Sequence, residues 1–386
     1  MKIVTIVGAR PQFIKAAVVS RAIANFNKNL TSNSPIITEV IVHTGQHYDR
    51  NMSDVFFEEM NIPRPDYFLD IHGLSHGAMT GQMMEKIEVV LVEERPDIVL
   101  VYGDTNTTLA GALAAAKLHI AVAHVEAGLR SFNRKMPEEI NRVLTDHMAK
   151  FLFCPTKQSV ENLKAEGINK KEFESGNNNG CSPTHNPNVC LVGDVMLDAA
   201  IYYKKHARKP QLAIPEKFIL ATLHRAENTD DTVRLKSIFD GFEKIGREVP
   251  IVLPLHPRTR KTIEALGLIA SESIKIFDPV SYFEMIYLLG NCRLVMTDSG
   301  GLQKEAFFFK KPCITMRDET EWVELVEYGF NSLAGAETES IHVAYKDIIE
   351  TELDFNIELY GDGEAGKRIV DFLKYYSHKG TKPQRL

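Results

Sequence analysis

Short, unbroken apolar runs recur along this chain, each followed by a longer stretch with helical spacing. In the first half the runs are KIVTIVG (2–8), EVIVHTG (39–45), DIVLVYGD (97–104), IAVAHVEAG (120–128), KFLFCP (150–155) and NVCLVGD (188–194). Strands that are apolar on both faces belong to parallel sheets covered by helices on each side. MTGQMMEKIEVVLVEER (79–95) and TTLAGALAAAKL (107–118) carry apolar residues at helical intervals between them. The pattern resumes with KFILATLH (217–224), PIVLPLHP (250–257), SIKIF (273–277) and CRLVMTDSGG (292–301). A chain of 386 residues exceeds one ordinary core. The expectation is therefore α/β, with two Rossmann-like domains built on parallel sheets, residues 1–203 and 204–386. The polar, Pro-bearing YYKKHARKPQLAIPEK (202–217) reads as a linker between them. The last helical stretch, about 364–376, is a candidate to pack back on the N-terminal domain. The Asn/Gly/Pro-rich insertion 172–188 reads as an exposed loop without chemistry.

Composition removes several function classes. A formal net charge of -6 leaves no basic footprint, which argues against nucleic acid. No run of about 20 apolar residues is present to span a membrane, and the opening apolar run is too short for a signal peptide. Five cysteines, an odd number with no CxxC pair, give neither a disulfide framework nor a zinc site. They fit a reducing, cytoplasmic setting. No His, Cys, Asp or Glu group has metal spacing, so no metal is expected.

In open parallel sheets, ligands bind at the carboxyl ends of the strands. Unusual polar residues collect at those ends here: Arg10, His43, Asp104 and Glu126 in the first half, then His224, His256, Asp298 and Ser299 in the second. GARPQFIK (8–15) joins a Gly turn to Pro11 at a helix start, with Arg10 and Lys15 as two cations for a phosphate. The alternative is an ordinary helix start with surface cations. TDSGGLQKEAF (297–307) offers Ser299, Gly300 and Gly301 as a main-chain nest for a diphosphate, and Glu305 one turn on for a ribose diol. Against that stands a simple strand-to-helix turn. GxGxxG, GxxxxGK[ST] and GxSxG are all absent, which disfavours dinucleotide enzymes, P-loop proteins and serine hydrolases.

Three carboxylates carry the chemical reading. Asp104 ends a strand, where it could equally cap the next helix. Glu126 follows an apolar strand, with an ion pair to Arg130 or Arg142 as the bland alternative. Glu138 follows Pro137 in a first helical turn, where the helix dipole alone favours acids. Together, beside two anion sites, they suggest proton transfer next to a phosphorylated leaving group. His224 and Arg225 in LHRAEN, and Arg317 in RDETEWVE, add candidates in the second half, and Gln46 with His47 in the first.

In this order, GARPQFIK, VYGDTNTTLA, HVEAGLR, PEEINR, LHRAEN and SGGLQKE with RDETEW resemble the non-hydrolysing UDP-N-acetylglucosamine 2-epimerases. The opening motif is similar to that family's G-[TA]-R-P-x-x-I-K, and the match covers the chain apart from 172–188. The resemblance implies a two-domain GT-B architecture with the active site in the interdomain cleft and no cofactor. It assigns acid/base work to Asp104, Glu126 and Glu138, with His224 beside them. UDP-sugar contacts fall on Arg10, Lys15, Arg225, Ser299, Gly300, Gly301, Glu305 and Arg317. Gln46 and His47 are candidates for a second, regulatory site, and a homodimer is the expected assembly.

The implied reaction interconverts UDP-GlcNAc and UDP-ManNAc by inversion at C2, for surface polysaccharide precursors. The C2 hydrogen has no neighbouring carbonyl and is not acidic by itself. Loss of UDP from C1 makes it so, and a carboxylate then removes it to leave a 2-acetamidoglucal. GARPQF in place of the commoner GTRPE, and the style of 43–59 and 75–85, also resemble a branch acting on UDP-2,3-diacetamido-2,3-dideoxyuronic acids. A GT-B UDP-sugar glycosyltransferase is the remaining alternative.

Overall fold

The computed structural model describes residues 1–30, 36–46, 62–168 and 188–378. The chain forms two compact units, one of Met1–Ala199 with Glu358–Leu386, the other of Ala200–Ile357. The linear boundary expected at 203/204 therefore falls at Ala200, and everything from Glu358 on groups with the first unit rather than the second. The insertion expected at 172–188 lies outside the described residues except for Asn188.

Unit one holds a seven-stranded sheet in the order β3-β2-β1-β4-β5-β6-β7, with every pairing parallel. The strands are β1 (Lys2–Val7), β2 (Thr38–His43), β3 (Tyr67–Phe68), β4 (Ile98–Tyr102), β5 (Ala121–Val125), β6 (Phe151–Cys154) and β7 (Asn188–Leu191). All but β3 sit inside apolar runs of the sequence. Two-residue β3 has no periodicity to betray it. On one face Val4, Ile6, Val99, Val101 and Leu152 pack with Met83, Ile87, Val90 and Ala110 from the covering helices. The final helix, Ala365–His378, packs on helix Arg10–Lys28 and on β6. Lys374 lies over the Phe26 ring, Phe372 meets Phe151 and Phe153 edge-on, and Lys150 donates to the Tyr376 hydroxyl at 2.7 Å. Its first turn is held by Asp198, whose carboxylate accepts the main-chain N–H groups of Ala365 and Gly366 at 3.1 and 2.8 Å.

Unit two holds six parallel strands in the order β10-β9-β8-β11-β12-β13. They are β8 (Ile219–Thr222), β9 (Ile251–Pro254), β10 (Ile274–Phe277), β11 (Leu294–Thr297), β12 (Cys313–Thr315) and β13 (Asn331–Leu333). The last two are three residues long and were not visible in the sequence pattern. Alternate residues of β8 feed opposite cores. Ile219 and Ala221 join Leu235, Phe239 and Phe242, whereas Leu220, with Phe218 just before the strand, joins Leu288, Leu289 and Leu302. That two-sided burial is why these strands read as continuous apolar runs. The stretch read as a linker is fastened to this unit. Tyr203 is buried against Tyr282 and Phe283, and the Arg208 N–H donates to the Phe283 carbonyl.

Among the described residues no helix is long and apolar enough to cross a membrane. Cys154, Cys292 and Cys313 are buried thiols whose proton affinity burial raises. Cys190 is disulfide-bonded.

Candidate active site

Strand order reverses once in each sheet. In unit one the turning point lies between β1 and β4, and in unit two between β8 and β11. At such a point the two following helices leave on opposite sides and open a crevice at the strand ends. The polar residues singled out in the sequence sit there: the Arg10 helix after β1, Asp104 after β4, His224 after β8, and Asp298 with Ser299 after β11.

In unit one, Gly8 lets the chain leave β1 close against a Thr44–Thr107 hydroxyl pair 2.8 Å apart; a Cβ there would collide with both. Gln12 closes the turn. Its side-chain oxygen accepts the N–H groups of Gly8 and Ala9, and its amide donates to the Tyr102 carbonyl. Arg10 is the first residue of helix Arg10–Lys28 and is half-buried. One turn along, Lys15 is buried and ion-paired with Glu126. The bland alternative for Glu126 was an ion pair with Arg130 or Arg142; the ion pair seen is with Lys15. Gly103 lies directly over this pair, its missing Cβ 3.1 Å from Lys15 Nζ and 3.3 Å from Glu126 Oε2. Glu126 itself has φ 73°, a left-handed backbone that a glutamate adopts only at a cost. The neighbouring N–H groups of Glu126 and Ala127 are both spent on the Phe153 carbonyl, which holds that geometry.

Asp104 is not the helix cap. Thr105 caps helix Asn106–Lys117 by accepting from the Thr108 N–H, which leaves the Asp104 carboxylate available. Arg142 takes it instead, with Nε and Nη2 donating to Oδ2 at 2.9 and 2.6 Å. Glu138 stands in the first turn of helix Pro137–Met148, half-buried, with no hydrogen bond or ion pair among the described residues. Its neighbour Glu139 differs: it is buried and accepts from Ser131, Phe132 and Arg142. Burial opposes its charge, but the Ser131 N–H and the Arg142 guanidinium hold its carboxyl below the usual range.

Beneath the Gly103 turn runs a buried polar chain that the sequence did not signal. His124 faces the Gly103 carbonyl through Nε2 and Asp146 through Nδ1, both at 2.7 Å. Asp146 also accepts from Arg130, which forks onto Glu166. Burial works against the Asp146 charge, yet His124 and Arg130 hold the carboxyl low. Gln46 accepts the Thr107 N–H and hydroxyl at 3.0 and 2.9 Å, so its side-chain oxygen serves the start of the Asn106–Lys117 helix. His47 lies outside the described residues. His43 is buried, is pushed down to about 4 by that burial, and accepts the Gly45 N–H through Nδ1.

In unit two, Asp298 organises the switch point. Its buried carboxylate accepts the N–H groups of His224 and Arg225 at 3.0 and 2.9 Å and meets the His224 ring at 3.0 Å. Burial opposes its charge, but the His224 ring and these N–H groups keep the carboxyl below its ordinary value. The His224 side chain remains 53% exposed, fixed at Nδ1 and free to present its other edge. Arg225 follows it, half-buried, as the cap of the short helix Ala226–Thr229.

Ser299 caps helix Gly300–Phe308, and its N–H is bound by Thr297. A Cβ on Gly300 would collide with Glu321 Oε1, whereas nothing lies within 4 Å of one on Gly301. Glu321 is in turn ion-paired to Arg317 at 3.0 Å. Arg317 is 1% exposed, so it braces the Ser299–Gly301 turn from below rather than standing on its surface. Trp322 Nε1 donates to the Gly300 carbonyl at 2.9 Å and adds a second brace. Glu305 is buried one turn along, 3.4 Å from the Tyr282 hydroxyl. No group of three or more His, Cys, Asp or Glu side chains among the described residues is arranged to hold a metal ion.

Unit one thus carries Asp104, Glu126 and Glu138, and unit two the Ser299–Gly301 turn and the His224 ring held by Asp298. Residues 29–374 match the UDP-N-acetylglucosamine 2-epimerase family. A UDP-2,3-diacetamido-2,3-dideoxy-D-glucuronate 2-epimerase of Pseudomonas aeruginosa is 54% identical over 97% of this chain and 99% of that protein. The crystal structure of Methanocaldococcus jannaschii UDP-GlcNAc 2-epimerase, with UDP-GlcNAc and UDP, is 42% identical with a TM-score of 0.84. It covers 97% of this chain and 100% of that one. Spinosyn rhamnosyltransferase SpnG, 11% identical with a TM-score of 0.51 over 97% of this chain and 96% of its own, shares the GT-B fold alone. The chain belongs to the UDP-N-acetylglucosamine 2-epimerase family.

Proposed function

We propose that this protein is a non-hydrolysing 2-epimerase of a UDP-2-acetamido sugar, interconverting UDP-GlcNAc and UDP-ManNAc. The observation that supports the reading is three carboxylates in unit one: Asp104 oriented by Arg142, strained Glu126 paired with Lys15, and Glu138, which has no hydrogen bond or ion pair among the described residues. In the forward half-reaction the C1–O bond to UDP breaks, its electron pair leaving with the diphosphate. The C2–H electrons form the C1–C2 double bond, and the proton passes to a carboxylate. Protonation of C2 from the opposite face and re-addition of UDP at C1 complete the inversion. Proton and nucleotide are both returned, so no oxidant or reductant enters.

Two faces of one carbon need acid/base groups on both sides, which accounts for several carboxylates. The open start of the Gly300–Phe308 helix, with Ser299 and Gly301, suits the diphosphate, since main-chain N–H groups and the helix dipole both favour an anion. His224, pinned by Asp298, and Arg10 and Arg225 add donors and charge to the leaving group as it departs. Glu305 is the candidate for the ribose. A homodimer in the cytoplasm, serving surface polysaccharide precursors, belongs to the same reading.

The 54% identity to the diacetamido-glucuronate enzyme, against 42% to the UDP-GlcNAc enzyme, favours a second reading in which the substrate is that uronic acid. Incubation of pure protein in deuterated water with each UDP-sugar separates the readings. The expected outcome is deuterium at C2 of the true substrate without any acceptor. A C2 left untouched until an acceptor is added would instead mean a glycosyltransferase. Under the epimerase reading, Asp104→Asn, Glu126→Gln and Glu138→Gln each cut turnover at least ~100-fold while UDP still binds. Near-normal rates in all three would remove the acid/base assignment.

A further inference from the structure

The geometry points to Arg142 as the positioning residue that selects which oxygen of Asp104 does the chemistry, with Glu139 as the anchor that holds Arg142 in place. The inference rests on the epimerase reading and deepens it. Both guanidinium contacts, Nε at 2.9 Å and Nη2 at 2.6 Å, fall on the same oxygen, Oδ2. Oδ1 has no hydrogen-bond partner among the described residues. Asn141 Nδ2 donates to the Asp104 main-chain carbonyl at 2.9 Å, so the residue is held at its backbone and at one side-chain oxygen. An aspartate so fixed has no torsional freedom left, and Oδ1 points in one direction. The Asp104 side chain is 30% exposed and that of Arg142 only 4%, so of the pair it is the carboxylate that reaches solvent.

The third guanidinium nitrogen holds Arg142 itself in place. Nη1 donates to Glu139 Oε2 at 2.9 Å, and that carboxylate is itself fixed by the Ser131 N–H, the Ser131 hydroxyl and the Phe132 N–H. Phe132 is kept at φ 60° by this arrangement. One planar fork therefore spans two carboxylates, one anchored and one reactive. Lysine, a point charge on a flexible stem, has the charge but not the fork. Within PEEINR the positions divide the labour: Glu138 has no partner among the described residues, Glu139 anchors, Asn141 grips the main chain, and Arg142 aims the carboxylate.

A double-mutant cycle on C2 deuterium exchange, run with whichever of the two UDP-sugars turns over, tests this. Arg142→Lys lowers kcat on the order of 10–100-fold with KM changed less than ~2-fold, because aim and not binding is lost. In an Asp104→Asn background the same substitution changes the residual rate less than ~2-fold, since nothing is left to aim. Additive effects in the cycle, or a parallel loss of UDP affinity measured by calorimetry, overturn the assignment. If Arg142→Lys does not fold, Glu139→Gln, which removes the anchor and keeps the fork, must show the same split and the same non-additivity, or the assignment fails. Absence of turnover by the unmodified protein on both sugars overturns the epimerase reading and this inference with it. Additivity in an active enzyme overturns this inference alone.

Discussion

Gly300 and Gly301 are adjacent at one helix start, and their surroundings are opposite. A methyl group on Gly300 would drive Glu321 off its ion pair with buried Arg317, whereas one on Gly301 meets nothing. Gly300→Ala therefore costs ~1–3 kcal/mol as overpacking, read as a lowered Tm. Gly301→Ala leaves stability within ~0.5 kcal/mol and shows its effect on UDP affinity, because the open side of the turn is where a diphosphate would approach. Equal destabilisation by the two would contradict the close packing seen under Gly300 alone. From the sequence the pair was a single GG motif. What separates the two glycines is a glutamate 20 positions downstream, and no local pattern announces that.

At the scale of elements, the final helix illustrates how a carboxylate on a neighbouring helix, Val195–Lys204, sets pH dependence. Asp198 caps Ala365 and Gly366, and burial pushes its carboxyl from 3.8 up to about 6. The folded chain thus keeps a proton that the unfolded chain releases between those values. Its contribution to stability is fully present below about 4, falls as pH rises to about 6 and is level above that. Asp198→Asn is expected to flatten this part of a Tm-against-pH curve; a variant with the wild-type slope would exclude Asp198 as its source. Elements were legible to very different degrees. Ten of the strands announced themselves as apolar runs, because burial on both faces leaves no polar position to interrupt them. β3, β12 and β13 did not, since two or three residues carry no period. Asp104, Glu126, His224 and Asp298 were singled out because strand ends are where ligands meet parallel sheets. Glu139, His124 and Asp146 were passed over because their contacts depend on partners distant in the chain. Arg142 entered only as one alternative ion-pair partner for Glu126; in the fold it holds Asp104, and Glu126 is paired with Lys15.

Seen whole, the molecule is one unit made from a continuous stretch and another made from two pieces. Ala200–Ile357 is unbroken, and Met1–Ala199 is completed by chain beginning at Glu358. A fragment of residues 200–357 is expected to melt cooperatively by circular dichroism and to retain UDP binding. A fragment of residues 1–199 is expected to lack a cooperative transition, because Phe151 and Phe153 lose Phe372 and the buried Ile369, Val370 and Leu373 are gone. Joining 358–378 to it by a flexible tether should restore the transition; a sharp melt of 1–199 alone would refute the dependence. Asp104, Glu126 and Glu138 all lie in that two-piece unit, so their surroundings are complete only when the stretch beginning at Glu358 has joined the first. A lesion that removes residues 358–378 would therefore strike the unit that carries these three carboxylates. The half encoded beside it would be spared.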